Sequence, residues 1–309
     1  MGIGSVPGQR TPSHPTLRKW IERLAGIRLG SLQKYWPKPL RVPEYYRDRP
    51  VGQTSLTFSI VTPSYNQGRF LEQTIRSVLN QHYPLLEYMV QDGGSSDESL
   101  QILSRYHAGL TYWESHEDKG QAHAINLGFQ HAQGEVLAYL NSDDLLLPGT
   151  LYYVAGYLAD HPEVDVVYGH RILIDETGNE VNRWVLPPHD DAILSWADYI
   201  PQETLFWRRR IWEKVGGRLD ESFHFALDWD LLLRFRDAGA RFVRLPRFLG
   251  AFRVHRQQKT ATMMWDVCLP ESNRLYARYG IRPRYRYMLP YLLRHVFYQR
   301  LYQFGILRY

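Results

Sequence analysis

The sequence predicts an α/β fold with a mostly parallel central sheet covered by helices on both faces. Three observations carry this. Short apolar runs alternate with helical repeats from Leu56 onward, the pattern of successive βαβ units. Hydrophobic residues make up 44% and charged residues 22% of the 309 positions, a balance that supports a packed core and excludes general disorder. Polar or glycine-bearing segments follow three of the apolar runs, at Pro63–Asn66, Asp92–Ser95 and Asn141–Asp144. Ligands of open parallel sheets bind there, beyond the carboxyl ends of the strands.

Residues 1–54 read as a basic, proline-bearing extension, with Leu17, Trp20, Ile21, Leu24 and Ile27 at helical spacing over 17–32. The α/β domain is expected over 55–260. FSIVTP is an apolar run ending in proline and suits a buried strand. Residues 70–81 then place Leu71, Ile75, Val78 and Leu79 on one helical face. LEYMVQD is a second strand, and SSDESLQILSRY a second helix with Ser95 and Glu98 spaced as a capping box. LTYWES, a helix over 121–133, the strand EVLAYLNSDD, a helix over 148–159 and the strand VDVVYG continue the alternation. Residues 261–309 form a basic, aromatic, helical extension. No internal repeat or long low-complexity segment is present.

Cys268 is the single cysteine. An intrachain disulfide and a cysteine zinc site are therefore excluded, and a reducing, cytoplasmic setting fits. The opening residues lack an apolar core, and no uninterrupted apolar run reaches about 18 residues, so neither a signal peptide nor a spanning helix is expected. The net charge of +5 hides a segregation: residues 1–50 carry +7, residues 272–309 carry +8 from eight arginines, and residues 51–271 carry −10.

Three motifs bear chemistry. Asn141-Ser142-Asp143-Asp144 sets two carboxylates at a strand end. Adjacent carboxylates repel unless a cation compensates, and hard oxygen ligands suit Mg²⁺ or Mn²⁺, which also bind diphosphates. An acidic turn with a helix cap is the plainer reading. Asp92-Gly93-Gly94-Ser95 permits a tight turn or a close ligand approach, with Asp92 an acceptor for a base or ribose, or simply part of a strand-to-helix turn. In Ala226-Leu227-Asp228-Trp229-Asp230, Asp228 complements a helix dipole or acts as a general base, and Trp229 stacks on a sugar or packs inside. Neither GxGxxG nor GxxxxGK[ST] occurs, so a Rossmann dinucleotide site and a triphosphate loop have no support.

Taken in order, SIVTPSYNQGRFLEQTIRSVLNQHYP, EYMVQDGGSSDES, DKGQAHAINLGFQHAQGEVLAYLNSDDLLLPGTL, PQETLFWRRRIWEKVGGRLDES and FALDWDLLLRF resemble glycosyltransferase family 2 over about two hundred residues. The resemblance implies the GT-A fold and an inverting transfer of sugar from a nucleotide-sugar, by preference a UDP-sugar, to a saccharide or lipid-linked acceptor. It implies that Pro63, Ser64, Tyr65 and Asn66 hold the nucleoside and that Asp92 contacts the base. Lys119, Gly120, Gln121 and Asn126 approach the donor. Asn141-Ser142-Asp143 matches the DXD-type motif, with Asp143 a ligand of Mn²⁺ or Mg²⁺, Asp144 sharing the task and His255 touching metal or diphosphate. Asp228 matches the catalytic base. Two departures stand out: Asn141 replaces the first acid of the metal motif, and Leu227 the acid before Asp228. A binding module without catalysis and a nucleotidyltransferase are the competing functions.

The C-terminal RPRYRYMLPYLLRHVFYQRLYQFGILRY interleaves arginine, tyrosine and leucine. It fits an amphipathic segment in peripheral contact with an anionic membrane on its cytoplasmic face. It also fits a helix packed on the core. No nucleic-acid motif accompanies it, so a nucleic-acid partner is not expected.

Overall fold

Strand β1 (Phe58–Ser64) is buried at every position, which is why it reads as a continuous apolar run and not an alternating one. The computed structural model describes residues 34–48, 56–256, 258, 264–282 and 285–309. The helix expected over 17–32 lies outside the described residues. Helix α1 (Gly68–Leu79) buries Phe70, Leu71, Ile75 and Val78. Strand β2 (Leu86–Asp92) follows, then α2 (Ser99–Tyr106) and β3 (Tyr112–Ser115). Helix α3 (Gln121–Gln130) leads to β4 (Val136–Tyr139). The β1–β2, β2–β3 and β1–β4 pairings are all parallel. A Cβ on Gly128 would meet Val61 Cγ1 at 2.4 Å, so only glycine lets α3 lie this close on β1.

Two local expectations are corrected. Ser95 does not cap α2: the helix starts at Ser99, and Ser95 Oγ instead donates to Asp92. Asp97 takes the local donors, accepting from the Ser99 and Gly68 amides. The fourth strand ends at Tyr139, so Asn141–Asp144 form a turn and not a strand end.

The second half mixes directions. It comprises β5 (Leu145–Leu146), α4 (Thr150–Asp160), β6 (Val166–Ile174), β7 (Glu180–Trp184), α5 (Asp191–Leu194), β8 (Phe206–Arg208), α6 (Arg209–Lys214), α7 (Leu227–Asp237), β9 (Phe242–Arg253), α8 (Leu269–Arg278) and α9 (Tyr285–Gln303). The sheet runs β3-β2-β1-β4-β8-β6-β9-β5, with β7 beside β6. β8 is antiparallel to both β4 and β6, whereas β6 and β9 form a long parallel ladder. Most paired residues lie in parallel ladders, so the sheet is mixed but mostly parallel.

Alternate side chains of the inner strands feed two cores. Val61, Met89 and Leu137 pack with α3 and α7 on one face. Ile60, Tyr88, Val90 and Val136 pack with α1, α2 and α4 on the other. A smaller cluster joins Tyr46, Phe248 and Ile172 to Tyr298, Tyr302 and Tyr309 of the C-terminal segment. Among the described residues, no helix is long and apolar enough to cross a membrane.

Candidate functional site

The loops after β1 and β2 are tied together. Asn66 sits at φ +51, a left-handed conformation that asparagine tolerates better than most residues. Its amide donates to Ser95 Oγ at 2.7 Å, and its Oδ1 accepts from the Ser96 amide at 2.9 Å. Asp92 is fully buried and accepts from the Ser95 amide, Ser95 Oγ and Ser115 Oγ. It thus organises the loop from within. Pro63 and Ser64 are buried at the end of β1, whereas Tyr65 is 63% exposed. A Cβ on Gly93 would come within 2.8 Å of Asp118 Oδ2 and 3.4 Å of the Tyr65 ring. These three residues therefore meet, with an open aromatic face at the strand ends. Ser64 Oγ is buried without a hydrogen-bond partner, an orphan that calls for a ligand or water.

Gly120, at φ +109, opens α3, and its amide donates to Asp118. Gln121, the first residue of α3, donates to Asn141 Oδ1 at 2.6 Å. Asn141 in turn donates to Gln202 Oε1. The two expected donor-site segments therefore touch through an amide pair. Lys119 is exposed beside them. Asn126 is placed differently: its amide group bonds to Leu219 and Glu221 and anchors that loop.

The Asn141–Asp144 turn is held from below. Thr74 Oγ1 donates to the carbonyls of Ser142 and Asp144. Arg253, fully buried at the end of β9, donates from its backbone amide to Asp144 Oδ1 and from Nε to the Asp143 carbonyl. Its other nitrogens reach the Asp175 carbonyl and Gln73, and the guanidinium stacks on Phe70. Two residues on, His255 Nε2 lies 2.9 Å from Asp143 Oδ2. Asp144 is buried, and burial, the Asp143 charge and Glu203 push its carboxyl well above the usual range. Glu203 itself pairs with Arg171 through two parallel hydrogen bonds.

Asp228 lies in the first turn of α7, where the helix dipole favours a carboxylate. The segment leading into it is clamped by Glu271 of α8, which accepts from the amides of His224, Phe225 and Ala226 at 2.7, 2.9 and 2.8 Å. Trp229 is a core residue and donates from its indole to the Leu194 carbonyl. Asp198 is exposed and lies within reach of the Asp228 charge. Burial and then the charges of Asp228, Asp198 and Asp144 push up the Tyr139 hydroxyl at the end of β4. One buried phenol thus feels three carboxylates that are far apart in sequence.

Among the described residues, no group of three His, Cys, Asp or Glu side chains could hold a metal alone. Asp143, half-buried, and His255, buried, nevertheless form an adjacent oxygen–nitrogen pair at the turn. Mg²⁺ needs few protein ligands when phosphates complete its shell. Arg253, Glu271, Asp198 and the Arg171–Glu203 pair carry no signal in the sequence, because each acts on residues distant along the chain.

The model of "Glycosyl transferase family 2" matches residues 59–220. An uncharacterized glycosyltransferase of Mycobacterium tuberculosis is 31% identical over 181 residues, covering 58% of this chain and 68% of its own. The chondroitin synthase of Escherichia coli is 27% identical over 207 residues, 64% of this chain and 30% of that one. Among solved structures, S. aureus TarS 1-349 in complex with UDP-GlcNAc has a TM-score of 0.56 at 19% identity, covering 67% of this chain and 61% of that chain. The mannosyltransferase PcManGT from Pyrobaculum calidifontis, in complex with GDP-Man and Mn²⁺, also has a TM-score of 0.56, at 21% identity, covering 87% of this chain and 72% of its own. These structural likenesses show the shared GT-A fold. The family match covers more than half of the chain, from β1 through the Asn141–Asp144 turn to Asp220, and so this protein belongs to glycosyl transferase family 2 and is a nucleotide-sugar glycosyltransferase.

Proposed function

We propose that the enzyme inverts the anomeric configuration of its donor sugar, with Asp228 as the base toward an acceptor hydroxyl. The observation that carries this reading is the Asn141–Asp144 turn at the Tyr139 end of β4, tied to the start of α3 through Gln121 and Asn141, with Asp228 in the first turn of α7 near enough for its charge to act on the buried Tyr139. A base and a diphosphate-binding turn at one strand end are what a direct displacement requires. Asp228 takes the hydroxyl proton as the acceptor oxygen bonds to the anomeric carbon. The bond from that carbon to the diphosphate oxygen breaks, and the nucleoside diphosphate leaves.

The loops bearing Pro63, Ser64, Tyr65 and Asn66 hold the nucleoside, with Tyr65 and Gly93 at the base and Asp92 setting the loop. Lys119 and Gln121 face the diphosphate. Asp143 and His255 hold Mn²⁺ or Mg²⁺, which when bound offsets charge on the leaving group. Asp144, buried and turned toward Arg253, shapes the turn in this reading and does not ligate. The donor is read as a UDP-sugar; the UDP-GlcNAc bound by TarS supports UDP, and the GDP-Man bound by PcManGT makes GDP the first competitor. The acceptor is a saccharide or a lipid-linked glycan, and the chain divides at about residues 54 and 260 into a catalytic domain between two basic extensions.

The test is a panel of UDP-, GDP- and dTDP-sugars with Mn²⁺ or Mg²⁺, read by release of nucleoside diphosphate and by NMR of the product anomer. A retained configuration would overturn the single displacement. Donor binding with neither hydrolysis nor transfer would overturn the proposed displacement.

A further inference from the structure

We infer that the outward face of α9 and the turn after it form a docking surface for an anionic lipid bilayer. The inference deepens the reading of a lipid-linked acceptor and rests on it only for its purpose. Leu289, Leu293 and Phe297 are 42, 55 and 58% exposed, and Phe304 and Ile306 beyond the helix are 73 and 67% exposed. The first three recur every fourth residue and so fall within roughly 80° of arc on one side of the helix. The opposite side is spent on the fold. Gln299 is buried and bonds to the backbone of Arg183 and Val185, and Tyr298 and Tyr302 pack on the small core cluster. The exposed stripe is therefore surplus to folding.

Charge selects the occupant. Residues 272–309 hold eight arginines and no acid, and Arg282, Arg294 and Arg308 are exposed. Arg294 meets Asp190 at 3.4 Å with both side chains open to water, a pairing too weak to withdraw its charge. A second copy of the same surface would set arginines against arginines, whereas an anionic bilayer offers both hydrocarbon and counter-charge. The location suits the chemistry. Tyr291 on α9 contacts the rings of Trp196 and Tyr199, which flank Asp198. Docking through α9 would bring the carboxylate-bearing side of the site close to the lipid.

The test uses the full chain and sedimentation with phosphatidylcholine vesicles, with and without phosphatidylglycerol. The expected result is binding only to the phosphatidylglycerol vesicles, weakened by salt. The triple substitution Leu293→Ser, Phe297→Ser and Phe304→Ser should reduce binding by about tenfold or more, with the melting temperature and nucleoside diphosphate release from the donor in the presence of a soluble acceptor unchanged. Arg294→Gln with Arg308→Gln should reduce the preference for the anionic lipid. Absence of wild-type binding, or equal binding by the triple variant, would overturn the surface. So would a wild-type dimer in light scattering that the triple variant converts to monomer, which would assign the stripe to self-association. Vesicle binding scores the surface and nucleotide release scores the transfer chemistry, so each can fail without the other.

Discussion

The loops after β1 and β2 and the turn after β4 lie at the same end of one sheet, but they are secured by different means. The first two close on each other through Asn66, Asp92 and Ser95, within a single βαβ unit. The turn is secured by Arg253, which reaches Asp143 and Asp144 from 110 and 109 residues away. The segment before Asp228 is likewise held by Glu271 from the following helix. The proposed nucleoside end is thus a local frame, while the proposed metal and base ends depend on elements that fold onto it from the C-terminal half. Damage to β9 or α8 should therefore spare nucleoside binding and disable transfer.

The sharpest way to separate the two ends is Asp228→Asn. Transfer should fall by about 10²–10⁴-fold, the usual worth of a general base. Calorimetric donor affinity should stay near normal. Near-normal turnover would remove Asp228 from the role.

Arg253→Met should come next. It strips a buried guanidinium from the Asp143 and Asp175 carbonyls and leaves the Asp143 and Asp144 carboxylates without it. Unfolding free energy should drop by about 3–5 kcal/mol, as when one partner of a buried charged group is removed. Asn66→Ala, which loses the shorter-range tie, should cost about 1 kcal/mol. Equal losses in urea titrations would break the contrast between the local and the long-range frame.

Glu271→Gln tests the clamp on the segment before Asp228. An amide keeps the volume but turns one acceptor into a donor facing backbone N–H groups. We expect kcat to fall about tenfold, equivalent to about 1.4 kcal/mol, with donor Kd unchanged. A change in donor Kd alone would place Glu271 in the nucleoside frame instead.

The smallest effect concerns acid. His295 on α9 is half-buried, and its buried Nδ1 has no hydrogen-bond partner among the described residues. Burial and then the Lys34 charge lower its pKa from 6.5 to about 4. A base with a depressed folded pKa stabilises the fold fully above its unfolded value and loses that contribution as pH falls toward the folded one. Between pH 6.5 and 4, α9 should loosen before β1–β4, as read by amide hydrogen exchange. His295→Gln should flatten that dependence. Uniform loosening of all elements would show that α9 and the sheet open as one unit.

Much of the site's framework was legible before the fold. Strand–helix alternation depends on side chains a few residues apart, so β1 to β4 were expected with errors of only a few residues. The motifs at their ends fell where ligands of such sheets bind, and the ordered resemblance supplied the family, which displaces the nucleotidyltransferase reading. Local chemistry misled where a tertiary partner outbid it. Ser95 has the spacing of a cap, yet the buried Asp92 carboxylate takes its hydroxyl. Asn126, expected to approach the donor, bonds through its amide to the Leu219–Glu221 loop.

What the sequence by itself determined is the alternating layout, the family, the acidic middle between basic ends, and Asp143 and Asp228 as residues to test. These follow from periodicity, composition and motif order, all properties of neighbours along the chain. Only the tertiary structure decided that His255 meets Asp143, that Asp144 turns inward, that Glu271 braces the segment before Asp228, and which side of α9 faces outward. Those are contacts between segments tens to over a hundred residues apart, and packing selects them after the local elements have formed.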